Sequence, residues 1–138
     1  MIPKFRAWVK PDILSNHLNG VIAEAKPDFL GKNCLVRRND LKGEKCFTEI
    51  LAFDDIELMQ STGLKDKNGI EIFEGDLVEH DDNINGVWET FEACEIVYDE
   101  GYAQFCFKWD AGNFLTDYRN LNVIGNIYEN SELLEEQR

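Results

Sequence analysis

Hydrophobic and polar residues alternate with a period of two along most of the chain, a pattern typical of strands that bury one face. The alternation predicts strands, or the starts of strands, at residues 5–9, 21–25, 34–38, 45–53, 76–79 and 122–128. Ser131 can begin a short C-terminal helix that runs to Gln137. We therefore expect a mainly β fold that ends in a short helix.

The clearest strand pair lies at residues 91–98 and 103–109, joined by the connection Asp99-Glu100-Gly101. In its second strand, alternation places two sets of side chains on opposite faces: Ala103, Phe105, Phe107 and Trp109 on one, and Gln104, Cys106 and Lys108 on the other. This predicts an antiparallel hairpin whose aromatic face is buried. A second hairpin is expected at Asn68-Gly69, because both residues tolerate the positive φ of a type I′ turn.

Charge is distributed unevenly along the chain. The 138 residues carry 14 Lys and Arg against 27 Asp and Glu, a net charge of −13. Residues 1–53 hold 9 basic and 6 acidic residues, a net charge of +3, whereas residues 54–138 hold 5 and 21, a net charge of −16. The excess of negative charge in the whole chain argues against a general phosphate-binding surface and against adsorption to anionic membranes. It leaves two interpretations: a polar surface that keeps the protein soluble, or a face for a cationic partner.

No segment has the composition of a targeting or membrane-spanning sequence. The longest apolar run, at residues 50–53, is far shorter than the roughly 20 residues of a spanning helix. We expect a cytoplasmic protein with no membrane partner. The four cysteines, Cys34, Cys46, Cys94 and Cys106, form no C-x-x-C pair, so we expect free thiols packed as small apolar groups.

Three segments carry a family resemblance: Lys4-Phe5-Arg6-Ala7-Trp8, residues 58–78 with Leu64-Lys65-Asp66-Lys67-Asn68-Gly69 at their centre, and residues 123–134, which begin Val123-Ile124-Gly125-Asn126. In this order the segments resemble the YopX family of phage and prophage proteins. Val9 and Ser131 depart from the acidic residue and the proline that are common there in the family. Residues 10–53 have no alignment with family positions, so nothing is inferred for them from the resemblance.

The resemblance implies a β-rich fold whose second half is similar to a small antiparallel barrel of the SH3 type. It also implies a gene carried by a bacteriophage or prophage, so that the expected cytoplasm is that of a bacterial host cell, and it implies no known reaction. We expect a single YopX-like unit over residues 1–138, with an N-terminal β-rich part at 1–55 and an acidic small-barrel core at 56–138.

The resembling segments are interpreted as a folding signature. Their glycines suit turns and close strand approach. Their apolar residues are then expected in the core: Leu58, Leu64, Ile72, Leu77, Val78, Ile124 and Ile127. The alternative is a contact surface built on the large aromatic residues Trp8, Trp88 and Trp109.

Residues able to carry catalysis are scarce. The chain has two histidines, His17 and His80, neither in a nucleophile motif, and it has no glycine-rich phosphate loop. We therefore expect a protein that is not an enzyme, and we assign no catalytic, cofactor-binding or metal-binding residue. Asp54, Asp55 and Glu57 could gather a divalent ion, but a solvated turn explains them more simply.

One spacing matches a calcium-binding loop. Asp81-x-Asn83-x-Asn85-Gly86, followed by Glu92, fits the template in which alternate oxygens surround the ion. A calcium hand needs a helix on each side, however, and the flanking residues are predicted to form strands. We therefore favour a plain hairpin loop and leave calcium binding by these residues as the alternative.

Three hypotheses for the function follow. We favour a noncatalytic accessory protein that binds a host or phage protein through its acidic half. The first alternative is a small-barrel nucleic-acid-binding protein with a basic patch at residues 32–45, comprising Lys32, Arg37, Arg38, Lys42 and Lys45, with Phe29, Phe47 or Trp8 stacking on bases. The second is a divalent-metal-binding protein or enzyme. Exposed strand edges also make a homo-oligomer plausible.

Overall fold

The computed structural model describes residues 4–11, 18, 20–39, 46–108 and 115–135, and in these ranges the chain is mainly β, as predicted. The strands are β1 (Phe5–Val9), β2 (Val21–Asp28), β3 (Asn33–Asn39), β4 (Cys46–Ala52), β5 (Ile56–Lys65), β6 (Glu71–Phe73), β7 (Asp76–Ile84), β8 (Val87–Asp99), β9 (Gln104–Phe107) and β10 (Arg119–Asn126). Short 3-10 helices occupy Phe53–Asp55 and Leu115–Asp117, and helix α1 spans Ser131–Glu135. The end predicted for this helix, Gln137, lies outside the described residues.

The chain divides into two compact units, Met1–Ser61 and Thr62–Arg138. The division predicted from the sequence lies at residue 55, just before β5. In the first unit, antiparallel strands follow the order β4-β3-β2-β1-β5. Ala7 of β1 is paired between Ala23 of β2 and Leu58 of β5. The face that bears these residues is buried with Val9, Cys34 and Val36 as the predicted alternation requires.

In the second unit, the end of β5 pairs with β6, and a further antiparallel sheet has the order β10-β7-β8-β9. Its core consists of Ile72, Val78, Ile96, Phe107, Leu115 and Tyr118. Within the described residues this strand order is open and no closed barrel is found, so SH3-type closure stays a prediction.

The hairpin predicted at residues 91–109 is present as β8 and β9, with Ile96 paired to Phe107 and Tyr98 paired to Phe105. Phe107 is buried, as expected. Cys106, on the opposite face of this strand, is also buried, with 1% of the residue exposed, which agrees with the apolar packing expected of the cysteines. Both faces of this strand are therefore covered at its centre. Trp109, which was expected on the aromatic face, lies outside the described residues.

The turn at Asn68-Gly69 is present but is not of type I′. Gly69 has φ +81°, whereas the φ of Asn68 is not positive. The Gly69 N–H donates to the carbonyl oxygen of Asp66 at 3.0 Å, and the Asp66 N–H donates to the carbonyl oxygen of Ile70 at 2.8 Å. This is a type I turn followed by a left-handed glycine, the usual three-residue hairpin loop.

Candidate interaction surface

The calcium-loop template lies in a two-stranded hairpin formed by β7 and β8. Ile84 and Val87 are paired, and the two residues between them, Asn85 and Gly86, have φ values of 53° and 88°. Positive φ at both positions is the signature of a type I′ turn. The Oδ1 of Asn83 accepts a hydrogen bond from the Gly86 N–H at 2.8 Å. The favoured hairpin interpretation is confirmed, and no helix flanks the loop.

Asp81, the first residue of that template, joins three strands. One carboxylate oxygen accepts a hydrogen bond from the Thr90 hydroxyl at 2.6 Å, and the other accepts one from the Asn120 side-chain amide at 2.7 Å. These hydrogen bonds hold the pKa of the Asp81 carboxyl below its ordinary value. Across the described residues, no three His, Cys, Asp or Glu side chains are grouped closely enough to hold a metal ion.

One face of the β7–β8 hairpin continues the core of the second unit. His80 is 5% exposed, and its ring stacks on Phe107 with centroids 4.0 Å apart and meets Tyr118 edge-on at 4.7 Å. The next ring along this face, Phe91, also stacks on His80, but it is 38% exposed. The hairpin therefore extends past the core at Phe91, and beyond this point its core-side face is open to solvent.

We call this exposed extension the hairpin surface, which consists of Asp82, Ile84, Val87, Glu89 and Phe91. Cross-strand pairing places Ile84 opposite Val87 and Asp82 opposite Glu89. Ile84 and Val87 are 41% and 60% exposed. The surface therefore presents an exposed apolar pair, an acidic pair and an aromatic ring in succession.

The acidic pair of the hairpin surface is not neutralised by any described residue. Asp82 and Glu89 face each other directly across the two strands, and neither forms an ion pair within the described part of the chain. Directly opposed like charges destabilise a strand pair by roughly 0.2–1 kcal/mol. A cation supplied from outside would relieve this repulsion.

The opposite face of the hairpin carries Trp88, which is 39% exposed. The Arg119 guanidinium carbon lies 3.7 Å from the centroid of the Trp88 ring, a cation–π contact between β8 and β10. Of the other proposed aromatic contact residues, Trp8 is half-buried in the first unit and Trp109 lies outside the described residues. Among the described residues of the second unit, Trp88 is therefore an exposed tryptophan.

The predicted basic patch is not assembled on one face by its described members. Arg37 and Arg38 are consecutive on β3 and point to opposite faces. Arg37 is exposed, donates to the Cys46 sulfur at 2.9 Å and is paired across strands with Glu24. Arg38 is half-buried and donates to the Ile22 carbonyl at 3.1 Å. Lys32 is exposed in a turn, whereas Lys42 and Lys45 lie outside the described residues.

The aromatic residues expected to stack on bases have other contacts. Phe29 is 60% exposed, but its ring packs against the rings of Phe5 and Phe53, with centroids 6.0 and 5.7 Å apart. Phe47 is half-buried against the core of the first unit. The described residues therefore contain no platform of exposed rings beside the two arginines.

The acidic residues in the 3-10 helix before β5 and at the start of β5 contact one lysine. The Lys10 ammonium donates to the carbonyl oxygen of Asp54 at 2.8 Å and lies 3.6 Å from the Glu57 carboxylate. Asp55 accepts the Lys10 backbone N–H through its carbonyl oxygen. This arrangement is that of a structured turn. Of the two candidate histidines, His80 is enclosed by aromatic rings and His17 lies outside the described residues.

Comparison with known proteins identifies the family. A sequence model described as YopX protein matches residues 4–135. The chain belongs to the YopX family. The protein EF1440 from Enterococcus faecalis, known from a crystal structure, is 30% identical and aligns with a TM-score of 0.58 over 97% of this chain and 99% of its own. A search of curated proteins finds no match. No helix in the described part of the chain is long and apolar enough to cross a membrane.

The central YopX segment has a structural role. Ile72, Leu77 and Val78 are fully buried, and Leu64 packs against the core of the second unit. The other apolar residues expected in the core, Leu58, Ile124 and Ile127, are partly buried. Asp66 is 7% exposed and ties the hairpin loop to β10 through backbone hydrogen bonds. These contacts agree with the interpretation of this segment as a folding signature.

The last YopX segment forms a closed turn after β10. The Asn126 side-chain oxygen accepts the backbone N–H groups of Tyr128 and Glu129, at 3.0 and 2.9 Å. Asn130 accepts the Asn126 N–H through its side chain and donates its own N–H to the Asn126 carbonyl oxygen. Gly125 lies directly beneath this pair, since a Cβ added there would come within 2.5 Å of the Asn130 Oδ1.

We expect Gly125→Ala to lower the free energy of unfolding by about 1–3 kcal/mol, because the added methyl group displaces the Asn130 side chain. Urea denaturation followed by circular dichroism measures the loss. The same substitution in an Asn130→Gly background should cost less, since the three closest atoms, all in the Asn130 side chain, are then gone. Equal costs in the two backgrounds would contradict the steric explanation.

All four cysteines are free thiols, as expected. Cys34 and Cys106 are buried and Cys94 is half-buried, but Cys46 is exposed, so its expected apolar packing was wrong. Burial raises the pKa of the Cys34 and Cys94 thiols. These two groups are therefore poor nucleophiles at neutral pH.

Proposed function

We propose that this protein is a noncatalytic accessory protein, encoded by a phage or prophage, that binds a protein partner through the acidic surface of its second unit. The phage origin rests on the family resemblance. The partner is a host or phage protein that presents a basic surface. The proposal requires no cofactor and no metal ion.

The observation that carries the proposal is the division of charge between the two units. Residues 1–61 contain 9 basic and 9 acidic residues, a net charge of zero, whereas residues 62–138 contain 5 and 18, a net charge of −13. The whole net charge of the chain therefore belongs to the second unit. A potential of one sign attracts oppositely charged proteins and speeds their association, and salt screens the attraction.

The distribution of the remaining charges supports a protein partner over nucleic acid. Arg37 and Arg38 point to opposite faces, and Glu24 lies across from Arg37. A nucleic-acid backbone needs basic side chains that converge on one path. The acidic second unit would repel that backbone.

Affinity capture from a host lysate tests the proposal, with and without nuclease and at low and high salt. We expect a captured protein that survives nuclease treatment and is released as salt rises. Loss of all captured protein on nuclease treatment would instead favour nucleic acid, and capture that is indifferent to salt would exclude the electrostatic mechanism.

Matched charge reversals assign the binding to one unit. Glu92→Lys with Glu132→Lys changes two exposed acids of the second unit, and Glu24→Lys with Asp54→Lys makes the same change in charge on the first. We expect the second-unit pair to reduce capture several-fold and the first-unit pair to leave most of it. Circular dichroism confirms that each variant is folded. The opposite ranking would place the partner on the first unit and contradict the proposal.

A further inference from the structure

We propose that the outer edge of β8, at Val87 to Phe91, binds an extended segment of the partner in which apolar, basic and apolar side chains alternate. The inference rests on the proposed function and deepens it, because it names the place on the acidic unit and the chemistry of the segment that it accepts. The site consists of the backbone of this edge together with the hairpin surface.

The first element of the site is an edge of the sheet. β8 pairs with β7 from Val87 onward, but its pairing with β9 involves only residues 96–99. No described strand therefore lies along the other side of β8 at residues 87–91. An extended peptide can add to such an edge through main-chain hydrogen bonds.

The hairpin register predicts which backbone groups are available. In a two-residue hairpin the pair that flanks the turn, here Ile84 and Val87, exchanges both hydrogen bonds. Residues of β8 then alternate, so Trp88 and Thr90 direct their N–H and C=O groups to the outer edge. These two residues would receive the added strand.

The second element is the row of side chains Val87, Glu89 and Phe91, which share one face of β8. A strand added at this edge places every second side chain beside that row. The position beside Glu89 suits Lys or Arg, and the positions on either side suit apolar residues. The segment that fits is therefore apolar-x-basic-x-apolar.

The charges of the free protein explain why the central position should be basic. Asp82 stands directly opposite Glu89, and neither is neutralised by a described residue. A Lys or Arg beside Glu89 relieves the repulsion between the two carboxylates. The exposed Val87 and Phe91 then bury apolar area that the hairpin extension leaves in water.

The test is an NMR titration at low salt of the full chain with the probe peptide Thr-Val-Thr-Lys-Thr-Val-Thr. We expect the Trp88 and Thr90 amides to shift and to exchange more slowly with solvent. Glu89→Lys should weaken binding at least ten-fold, whereas Glu100→Lys, an exposed charge reversal in the β8–β9 turn, should weaken it less than two-fold. A peptide with Glu in place of Lys should recover binding to Glu89→Lys.

Several results would overturn the inference. One is an equal loss of peptide affinity in Glu89→Lys and Glu100→Lys. Another is that the Trp88 and Thr90 amide signals do not shift at millimolar peptide. A third is protection of this edge from solvent exchange that rises with protein concentration in the absence of peptide, because a second copy of the chain would then be the occupant. If salt-sensitive capture of a basic protein persists in Glu89→Lys, the proposed function stands and the edge site is wrong. If no such capture occurs with the wild-type chain, the proposed function itself fails.

Discussion

Phe107→Ala is expected to lower the free energy of unfolding of the second unit by about 3–5 kcal/mol, the range for removing a buried phenylalanine ring. Phe107 is 3% exposed and belongs to the core of this unit. Its ring stacks on His80 and meets Tyr118 edge-on with centroids 4.9 Å apart. Removal of the ring opens a cavity and deprives two neighbouring rings of their packing. Urea denaturation followed by circular dichroism measures the loss.

Phe91→Ala is the matched control, because it removes the same ring from a residue that also stacks on His80. Phe91 is 38% exposed, so less apolar area returns to water and the expected loss is about 1 kcal/mol. Equal losses in the two variants would mean that the hairpin extension is packed as tightly as the core. In that case Phe91 would not be available as the exposed aromatic residue on which the proposed peptide site depends.

The sequence predicted strands best where one face is apolar throughout. β1 has the predicted bounds, and β3 extends one residue beyond its prediction at each end. β5 was not predicted as a strand, since its residues do not separate into a polar and an apolar face: Met59 is buried between the partly exposed Leu58 and Gln60. Alternation of polar and apolar residues identifies strands that bury one face. It does not identify strands whose burial depends on what packs over them.

Two of the three Asn-Gly pairs, Asn68-Gly69 and Asn85-Gly86, show why turn type was harder to predict than turn position. Residue preference alone allows a type I′ turn at both of these pairs, and of the two only Asn85-Gly86 has one. At Asn68-Gly69 the Asp66 carboxylate accepts the N–H groups of Asn68 and Ile70 and holds the loop in another conformation. A side-chain acceptor two residues before the pair therefore outweighed the preference of the pair itself.

The hairpin surface was not predicted, although part of its signal is visible in the sequence. Val87, Glu89 and Phe91 alternate as a strand should, but Asp81, Asp82 and Asn83 have low strand propensity and suggested a loop. Pairing across the type I′ turn extends β7 through these polar residues. The opposition of Asp82 and Glu89 depends on the register, which the sequence alone does not specify.

Asp66→Asn is expected to lower the free energy of unfolding by about 2–4 kcal/mol, because a buried charged acceptor with several donors is lost. The Asp66 carboxylate accepts the N–H groups of Asn68 and Ile70 on one oxygen, at 2.8 and 2.9 Å, and that of Val123 on the other, at 3.0 Å. The asparagine side chain has one acceptor oxygen in place of two. Its NH₂ group then faces a backbone N–H that has lost its acceptor. Urea denaturation at neutral pH measures the difference.

The loss of stability caused by Asp66→Asn should depend on pH, in a direction that the pKa of the Asp66 carboxyl defines. Burial alone would raise the pKa of the Asp66 carboxyl, but the backbone N–H groups of Val123, Ile70 and Asn68, together with the charge of Lys67, hold the pKa below its ordinary value. A carboxyl whose pKa is lower in the folded state stabilises the fold fully above its unfolded pKa of about 4 and loses that contribution as pH falls through the folded value. The stability gap between wild type and Asp66→Asn should therefore be constant from neutral pH to about pH 5 and should narrow below about pH 4.

Glu100→Gln separates this mechanism from the general effect of removing one negative charge from an acidic chain. Glu100 is exposed in the turn after β8, and its neutralisation should leave stability nearly unchanged or raise it slightly, since the unit carries excess negative charge. If Asp66→Asn behaved like Glu100→Gln, the hydrogen bonds from the loop and β10 would contribute little. A gap that widened on acidification would be equally decisive, because it would require the Asp66 carboxyl to have a raised pKa in the folded protein.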